Sequence, residues 1–104
     1  MGSERAEALK KMIEQDPDDS FSRYALGLEY VSDSMIEEAK GLFEDLVSGN
    51  PNYLPVYYQL GKVYELNGEF DMAKKTYERG IYVATSQNEL HTKSELAEAL
   101  ENLF

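Results

Sequence analysis

One pattern of large apolar and small residues occurs twice in this chain, and the second copy follows the first after 34 residues. The first copy has Tyr24, Leu26, Gly27, Tyr30, Ala39, Lys40, Phe43 and Glu44, and the second has Tyr58, Leu60, Gly61, Tyr64, Ala73, Lys74, Tyr77 and Glu78. A repeat of about 20–50 residues indicates stacked units, because each unit is too small to bury its apolar face alone. We therefore predict a single domain of similar consecutive units over residues 1–104.

Proline and turn residues divide the chain at the same interval. Pro17 and Pro51 are 34 residues apart, and so are the breaks at Ser34 and Gly68. Between the breaks, apolar residues recur at helical spacing. This pattern predicts an all-α fold with six helices, over residues 4–15, 20–32, 36–48, 54–66, 70–86 and 88–102. Thr85 stands where the repeat would place a proline, so the fifth helix is expected to continue past that point.

Two glycines lie inside predicted helices, although a helical glycine costs about 0.5–1 kcal/mol relative to alanine. We therefore expect another helix to approach the backbone closely at Gly27 and at Gly61. Ala39 and Ala73, in the following helices, are the expected small counterparts. These residues describe packing and require no active site.

The pattern resembles the signature of the tetratricopeptide repeat (TPR) family: Leu-Gly-x-x-Tyr on one helix, Ala-x-x-x-aromatic on the next, and a closing proline. The resemblance gives a half repeat over 4–17, full repeats over 20–53 and 54–87, and a capping helix over 88–104. It implies a right-handed superhelix of antiparallel helix pairs and a non-catalytic protein-interaction module. The chain departs from the family pattern at Arg23, where an aromatic is common, and at Ser34, which replaces a turn glycine.

The resemblance also implies a concave groove, lined by the first helix of each repeat, that holds a partner's peptide or helix. The groove positions here are Phe21, Tyr24, Leu28, Val31, Tyr58, Gln59, Lys62 and Glu65. The first four form one helical stripe, and an exposed apolar stripe usually marks an interaction site. We expect an apolar or aromatic partner with a basic residue for Glu65. The alternative is that the first or last helix covers the stripe and makes it core.

Some members of the family hold a partner's C-terminal carboxylate with Lys, Asn and Arg side chains. The corresponding positions here are Tyr24, Leu28, Gln59, Glu89 and Lys93. Only Gln59 and Lys93 have suitable donors, and Glu89 would repel a carboxylate. The resemblance therefore does not extend to such a clamp.

The composition excludes several other functions. The net charge is −10, and the only basic cluster is Lys74, Lys75 and Arg79, so nucleic acid and anionic membrane are not expected partners. There is no cysteine, and His91 is the only histidine. With no catalytic set and no phosphate loop, we expect no enzyme activity, metal or cofactor. The chain has no apolar run of roughly 18 residues and no hydrophobic N-terminus, so a cytoplasmic location is the expectation.

Two further interpretations remain open. The first helix, with Leu9, Met12 and Ile13, has no partner helix before it, so a homodimer through this helix is the alternative function. The other interpretation is that the chain is a fragment of a longer repeat array. The partner of the first helix would then lie upstream.

Overall fold

The computed structural model describes residues 3–104, and all of its regular structure is helical. The helices are α1 (Ser3–Gln15), α2 (Ser20–Ser32), α3 (Ile36–Gly49), α4 (Pro55–Leu66), α5 (Phe70–Ser86) and α6 (Leu90–Glu101). Each observed end lies close to its predicted position, so the all-α prediction is confirmed. The fifth helix does run on past Thr85. None of the helices within residues 3–104 has the length and apolar character needed to cross a membrane.

The same type of turn ends α2, α4 and α5. One residue in each turn has a left-handed backbone, with φ of 61° at Ser34, 74° at Gly68 and 59° at Asn88. The next residue then donates its N–H, over 2.8 Å in each case, to the carbonyl five residues before it. These bonds satisfy carbonyls that a helix end would otherwise leave unpaired. Before α6, a break was predicted at residue 87, but the left-handed turn at Asn88 was not, because its position does not follow the 34-residue interval.

The chain divides into two compact units, at the boundary between the two predicted repeats. Unit 1 extends to Tyr53 and contains α1, α2 and α3. Its core includes Ala6 and Leu9 of α1 against Ala25 and Leu26 of α2. Phe43 of α3, which is fully buried, lies directly on the backbone of α2 at Gly27.

Unit 2 begins at Leu54 and contains α4, α5 and α6. Its ring-on-glycine contact is formed by Tyr77 of α5 and Gly61 of α4. A second glycine, Gly80, lets both neighbouring helices approach α5. A Cβ at Gly80 would lie 2.7 Å from Tyr57 Cβ and 2.9 Å from Leu96 Cδ1.

The prediction that alanines are the residues packed on the helical glycines was wrong. Ala39 and Ala73 are fully buried, but the atoms nearest to Gly27 and Gly61 belong to the rings of Phe43 and Tyr77. A flat ring can lie on a bare backbone, whereas a Cβ would overlap it. Glycine is therefore required by a large neighbour rather than a small one.

Helix α6 does not keep the register of the repeat. The positions 34 residues after the buried Val56 and Leu60 are Leu90 and Ser94, and both of these are exposed. Leu96 and Ala99 are buried instead. Because α5 is three residues longer than α3, α6 begins later than the interval predicts and turns a different set of side chains inward.

Helix α1 is not an open apolar surface. Leu9 is only 5% exposed, and Ile13 is half-buried against the same cluster. Of the three residues expected to form a dimer surface, only Met12 is exposed. Most other exposed residues of α1 are charged. The apolar face of α1 is therefore already used within unit 1.

Candidate functional site

The predicted stripe on α2 is partly exposed. Phe21 is 62% exposed, and Tyr24, Leu28 and Val31 are half-buried. Helix α1 packs on α2 through Ala25 and Leu26, next to the stripe, and leaves Phe21 exposed. The structure therefore keeps these four side chains available at the surface of unit 1.

Tyr24 is held in place by aromatic rings of unit 1. Its ring centroid lies 6.1 Å from that of Phe43 and 5.7 Å from that of Tyr53, distances at which aromatic pairs attract each other. Burial raises the pKa of Tyr53, and the nearby Asp19 carboxylate raises it further. This part of the stripe is preorganised, because the ring of Tyr24 cannot turn without losing both contacts.

The equivalent face of α4 is polar. Lys62 Nζ lies 5.3 Å from the centre of the Tyr58 ring and 3.7 Å from Glu65 Oε2. The same carboxylate oxygen accepts a hydrogen bond from the hydroxyl of Tyr77, whose ring centroid is 6.4 Å from that of Tyr58. Three of the four predicted site residues on α4, namely Tyr58, Lys62 and Glu65, thus form one network, which Tyr77 of α5 completes.

Tyr77 is the most strongly perturbed acid of this network. Burial raises the pKa of its phenol, and the hydrogen bond to the Glu65 carboxylate raises it further. The phenol therefore stays protonated at physiological pH and donates to Glu65, which holds the carboxylate in one orientation. Because an ionised carboxylate is a strong acceptor, this bond is worth more than one between neutral groups.

A hollow of about 300 Å³ lies between α4 and α6. Tyr58 and Lys62 form its α4 side, and its α6 side is lined by His91, Ser94, Glu95, Glu98, Ala99 and Asn102. Of the residues that line this hollow, the sequence analysis placed only Tyr58 and Lys62 in a site. The helical spacing of His91, Glu95, Glu98 and Asn102 puts them on one stripe, but the 34-residue interval gave no reason to place that stripe beside α4.

Three other residues considered from the sequence lie outside this arrangement. Gln59 occupies the position equivalent to Ala25, which is buried against α1 in unit 1, and it does not line the hollow. Glu89 is the residue before α6, and Lys93 is half-buried on α6 but outside the hollow. None of Gln59, Glu89 and Lys93 lines the hollow.

A second, larger hollow, of about 540 Å³, lies in unit 1 and is lined by residues outside the stripe. Its lining includes Pro17, Ser20, Arg23, Asp45 and Asn50. Much of its polar surface is already bonded internally: Asn50 Nδ2 donates to Ser20 Oγ, and Arg23 Nε donates to the Pro17 carbonyl, both over 2.8 Å. No predicted site residue lines it. It is therefore a weaker candidate than the faces of α2 and α4.

Within residues 3–104, no group of three or more His, Asp or Glu side chains is arranged to hold a metal ion. His91 Nε2 lies 3.6 Å from Glu95 Oε2, and Ser94 lines the same hollow. Unit 1 offers apolar contact on α2, and unit 2 offers charged hydrogen-bonding groups on α4 and α6.

Comparison with known proteins places the repeat in a wider context. Residues 54–87 match the family described as the tetratricopeptide repeat. A tetratricopeptide repeat domain protein from Salinibacter ruber, solved by NMR, is 41% identical over 85% of this chain and 89% of its own, with a TM-score of 0.80. A TPR repeat-containing protein of Pseudomonas aeruginosa is 26% identical over 93% of this chain and 92% of its own.

The fold is also similar to that of a eukaryotic domain. The TPR2B domain of yeast Sti1, solved as a complex with pHsp70, superposes with a TM-score of 0.88 over 94% of this chain and 78% of its own. Only 15% of the residues are identical, so this likeness concerns the fold alone.

Proposed function

This chain belongs to the tetratricopeptide repeat family, and from that membership we propose that it is a non-catalytic protein-interaction module. It binds a peptide or helical segment of a partner protein. The binding surface of unit 1 is the face of α2, and that of unit 2 is the face of α4. The family and the fold support an interaction role in general. The segment bound here carries apolar or aromatic side chains together with a basic residue.

The observation that carries this proposal is the exposed stripe on α2. Phe21, with 62% of its surface exposed, and its half-buried neighbours Tyr24, Leu28 and Val31 form an apolar row that α1 leaves uncovered. An apolar row on the solvent side of a helix gains free energy when a partner covers it. Held in place by Phe43 and Tyr53, Tyr24 also loses little freedom on binding, which favours affinity.

The partner is not expected to be a terminal carboxylate held by basic side chains. The yeast Sti1 domain shares the fold and was solved with pHsp70, but the positions considered for a clamp here are Tyr24, Leu28, Gln59, Glu89 and Lys93. Of these, only Gln59 and Lys93 have donors suited to a carboxylate, and neither lines the hollow between α4 and α6. The exposed row and the net charge of −10 favour an apolar segment with positive charge instead.

The test is a selection of random dodecamer peptides displayed on phage, using the whole chain as the immobilised target. Enriched sequences would be synthesised, and their Kd measured by fluorescence anisotropy. Phe21→Ala should raise the Kd about tenfold, since exposed aromatic anchors contribute about 1.4 kcal/mol or more when a partner buries them.

The matched control is Tyr82→Ala, which removes another aromatic, 75% exposed, from α5 outside the proposed site. It should leave the Kd unchanged. Phe21 is a better probe than Tyr24, because Tyr24→Ala would also break ring contacts within unit 1. If no peptide is enriched, or if both alanine variants weaken binding equally, the proposed function is wrong.

A further inference from the structure

The two repeats have different chemistry at equivalent groove positions. Residues Tyr24, Leu28, Val31 and Phe43 of the first repeat correspond to Tyr58, Lys62, Glu65 and Tyr77 of the second. Both repeats pack an aromatic ring on a helical glycine in the same way. The first repeat makes that contact without a charged residue, so the fold itself does not require Lys62, Glu65 or the Tyr77 hydroxyl.

The polar residues of the second repeat interact with one another. Glu65 Oε2 accepts from the Tyr77 hydroxyl and lies 3.7 Å from Lys62 Nζ, while Lys62 also lies over the Tyr58 ring. The only formal positive charge on the lining of the hollow between α4 and α6 is therefore held toward Glu65. No ion pair joins Lys62 to Glu95 or to Glu98 within the described residues.

Glu95 and Glu98 are the two carboxylates of α6 that line the hollow. The ion-pair partner of Glu95 is His91, which carries a charge only when it is protonated. Glu98 forms no ion pair with any residue of the described chain. With Lys62 counted as +1 and His91 as neutral, the lining residues carry a net charge of −1. Opposite Glu98, the ring of Tyr58 provides an apolar wall.

We infer that the hollow between α4 and α6 is a subsite for a cationic side chain, arginine or lysine, of the bound partner segment. The proposal rests on the proposed function and names the residue type that the second repeat selects. Glu98 and Glu95 accept from the cationic head, Asn102 offers a further carbonyl oxygen, and the alkyl stem lies along Tyr58 and Ala99. Long basic side chains combine an apolar stem with a charged head, and aromatic faces attract such cations.

The experiment uses small probes, so that it does not depend on knowing the partner. The whole chain, labelled with ¹⁵N, is titrated with N-acetyl-arginine methylamide and followed by NMR. The neutral counterpart is N-acetyl-citrulline methylamide, and an anionic counterpart is N-acetyl-glutamate methylamide. The arginine probe should shift the amide signals of Tyr58, Glu95 and Glu98. It should bind about fivefold more tightly than the citrulline probe, and less so in high salt.

Glu98→Gln should remove most of that fivefold preference, because it deletes the unpaired charge and keeps the shape. The matched control is Glu101→Gln, an exposed position on α6 that does not line the hollow. Equal binding of the arginine and citrulline probes, tighter binding of the glutamate probe, or equal effects of the two glutamine variants would overturn the subsite.

The peptide selection separates this proposal from the function on which it rests. Enriched peptides that contain arginine or lysine, and that lose affinity with Glu98→Gln, support both proposals. Enriched peptides without a basic residue support the interaction function and overturn the cationic subsite. If no peptide is enriched, the interaction function fails, whatever the small probes show.

Discussion

The ring of Tyr77 lies on the backbone of Gly61, and its hydroxyl donates a hydrogen bond to Glu65 one turn further along the same helix. The contact joins α4 to α5 and fixes one charged side chain of the proposed site. Phe43 and Gly27 make the same ring-on-glycine contact in unit 1 without the hydroxyl. Packing and recognition can therefore be separated by experiment at this one tyrosine.

Gly61→Ala should destabilise the protein by about 1–3 kcal/mol, because the added methyl group would overlap the Tyr77 ring and force the helices apart. Urea unfolding followed by circular dichroism would measure the change. Gly41→Ala is the matched control. A Cβ added at Gly41 would have no neighbouring atom within 4 Å. Alanine there should therefore be neutral or stabilise the protein by about 0.4–1 kcal/mol. A Gly61→Ala variant as stable as the Gly41→Ala variant would contradict the observed packing.

Tyr77→Phe should keep the fold and cost about 0.5–1.5 kcal/mol at neutral pH, through loss of the hydrogen bond to Glu65. It should also change the response to alkali. The folded pKa of Tyr77 is raised above its ordinary value of 10.0, so the stabilisation is complete below that pH. It is lost as the pH rises and the unfolded phenol ionises.

The difference in free energy of unfolding between the two proteins should therefore begin to narrow near pH 10 and narrow further as the pH rises, because the wild type loses stability faster. Tyr82→Phe, at a side chain that is 75% exposed, serves as the control and should follow the wild type. If the free energy of unfolding of Tyr77→Phe equals that of the wild type at every pH, the hydrogen bond between Tyr77 and Glu65 does not contribute to stability as described.

Ser34→Gly should stabilise the protein by about 0.5–1 kcal/mol. Ser34 has φ of 61°, a left-handed conformation that costs an L-residue about 1–2 kcal/mol, and glycine adopts it freely. The greater flexibility of glycine in the unfolded chain offsets part of this gain. Thermal unfolding of Ser34→Gly beside Ser48→Gly tests the idea. Ser48 lies within α3, where glycine should destabilise instead.

Asp19 should make stability depend on acid pH. The Ser22 hydroxyl and the Ser22 backbone N–H donate to its carboxylate over 2.6 and 3.1 Å. These hydrogen bonds lower its pKa from the ordinary value of 3.8, the hydroxyl more than the N–H. The contribution of the charged form is therefore complete above that pH and is lost as the pH falls through the lower folded value.

Asp19→Asn should lower the urea midpoint at pH 7, and the gap to wild type should narrow as the pH approaches 3. Asp45→Asn, on the exposed face of α3, removes the same charge without this cap. A gap for Asp19→Asn that stays constant from pH 7 to pH 3 would show that the carboxylate makes no special contribution.

The site was only partly predictable from the sequence. The repeat identified Tyr24 and Tyr58 as equivalent, and the structure holds both rings beside a buried ring of the neighbouring helix. The wall formed by Glu95 and Glu98 was missed, because the 34-residue interval does not continue into α6. A surface built from two helices depends on where each one begins, and the longer α5 changed that starting point.

The sequence by itself determined the helices, their order and the positions where backbones come close, since periodic apolar residues, prolines and glycines act locally. The tertiary structure decided which side chain fills each close approach, with Phe43 rather than Ala39 on Gly27. It also decided that Tyr58 and Lys62 of α4 line one hollow with Glu95 and Glu98 of α6. Such contacts depend on the distances between helices, and no local pattern encodes those distances.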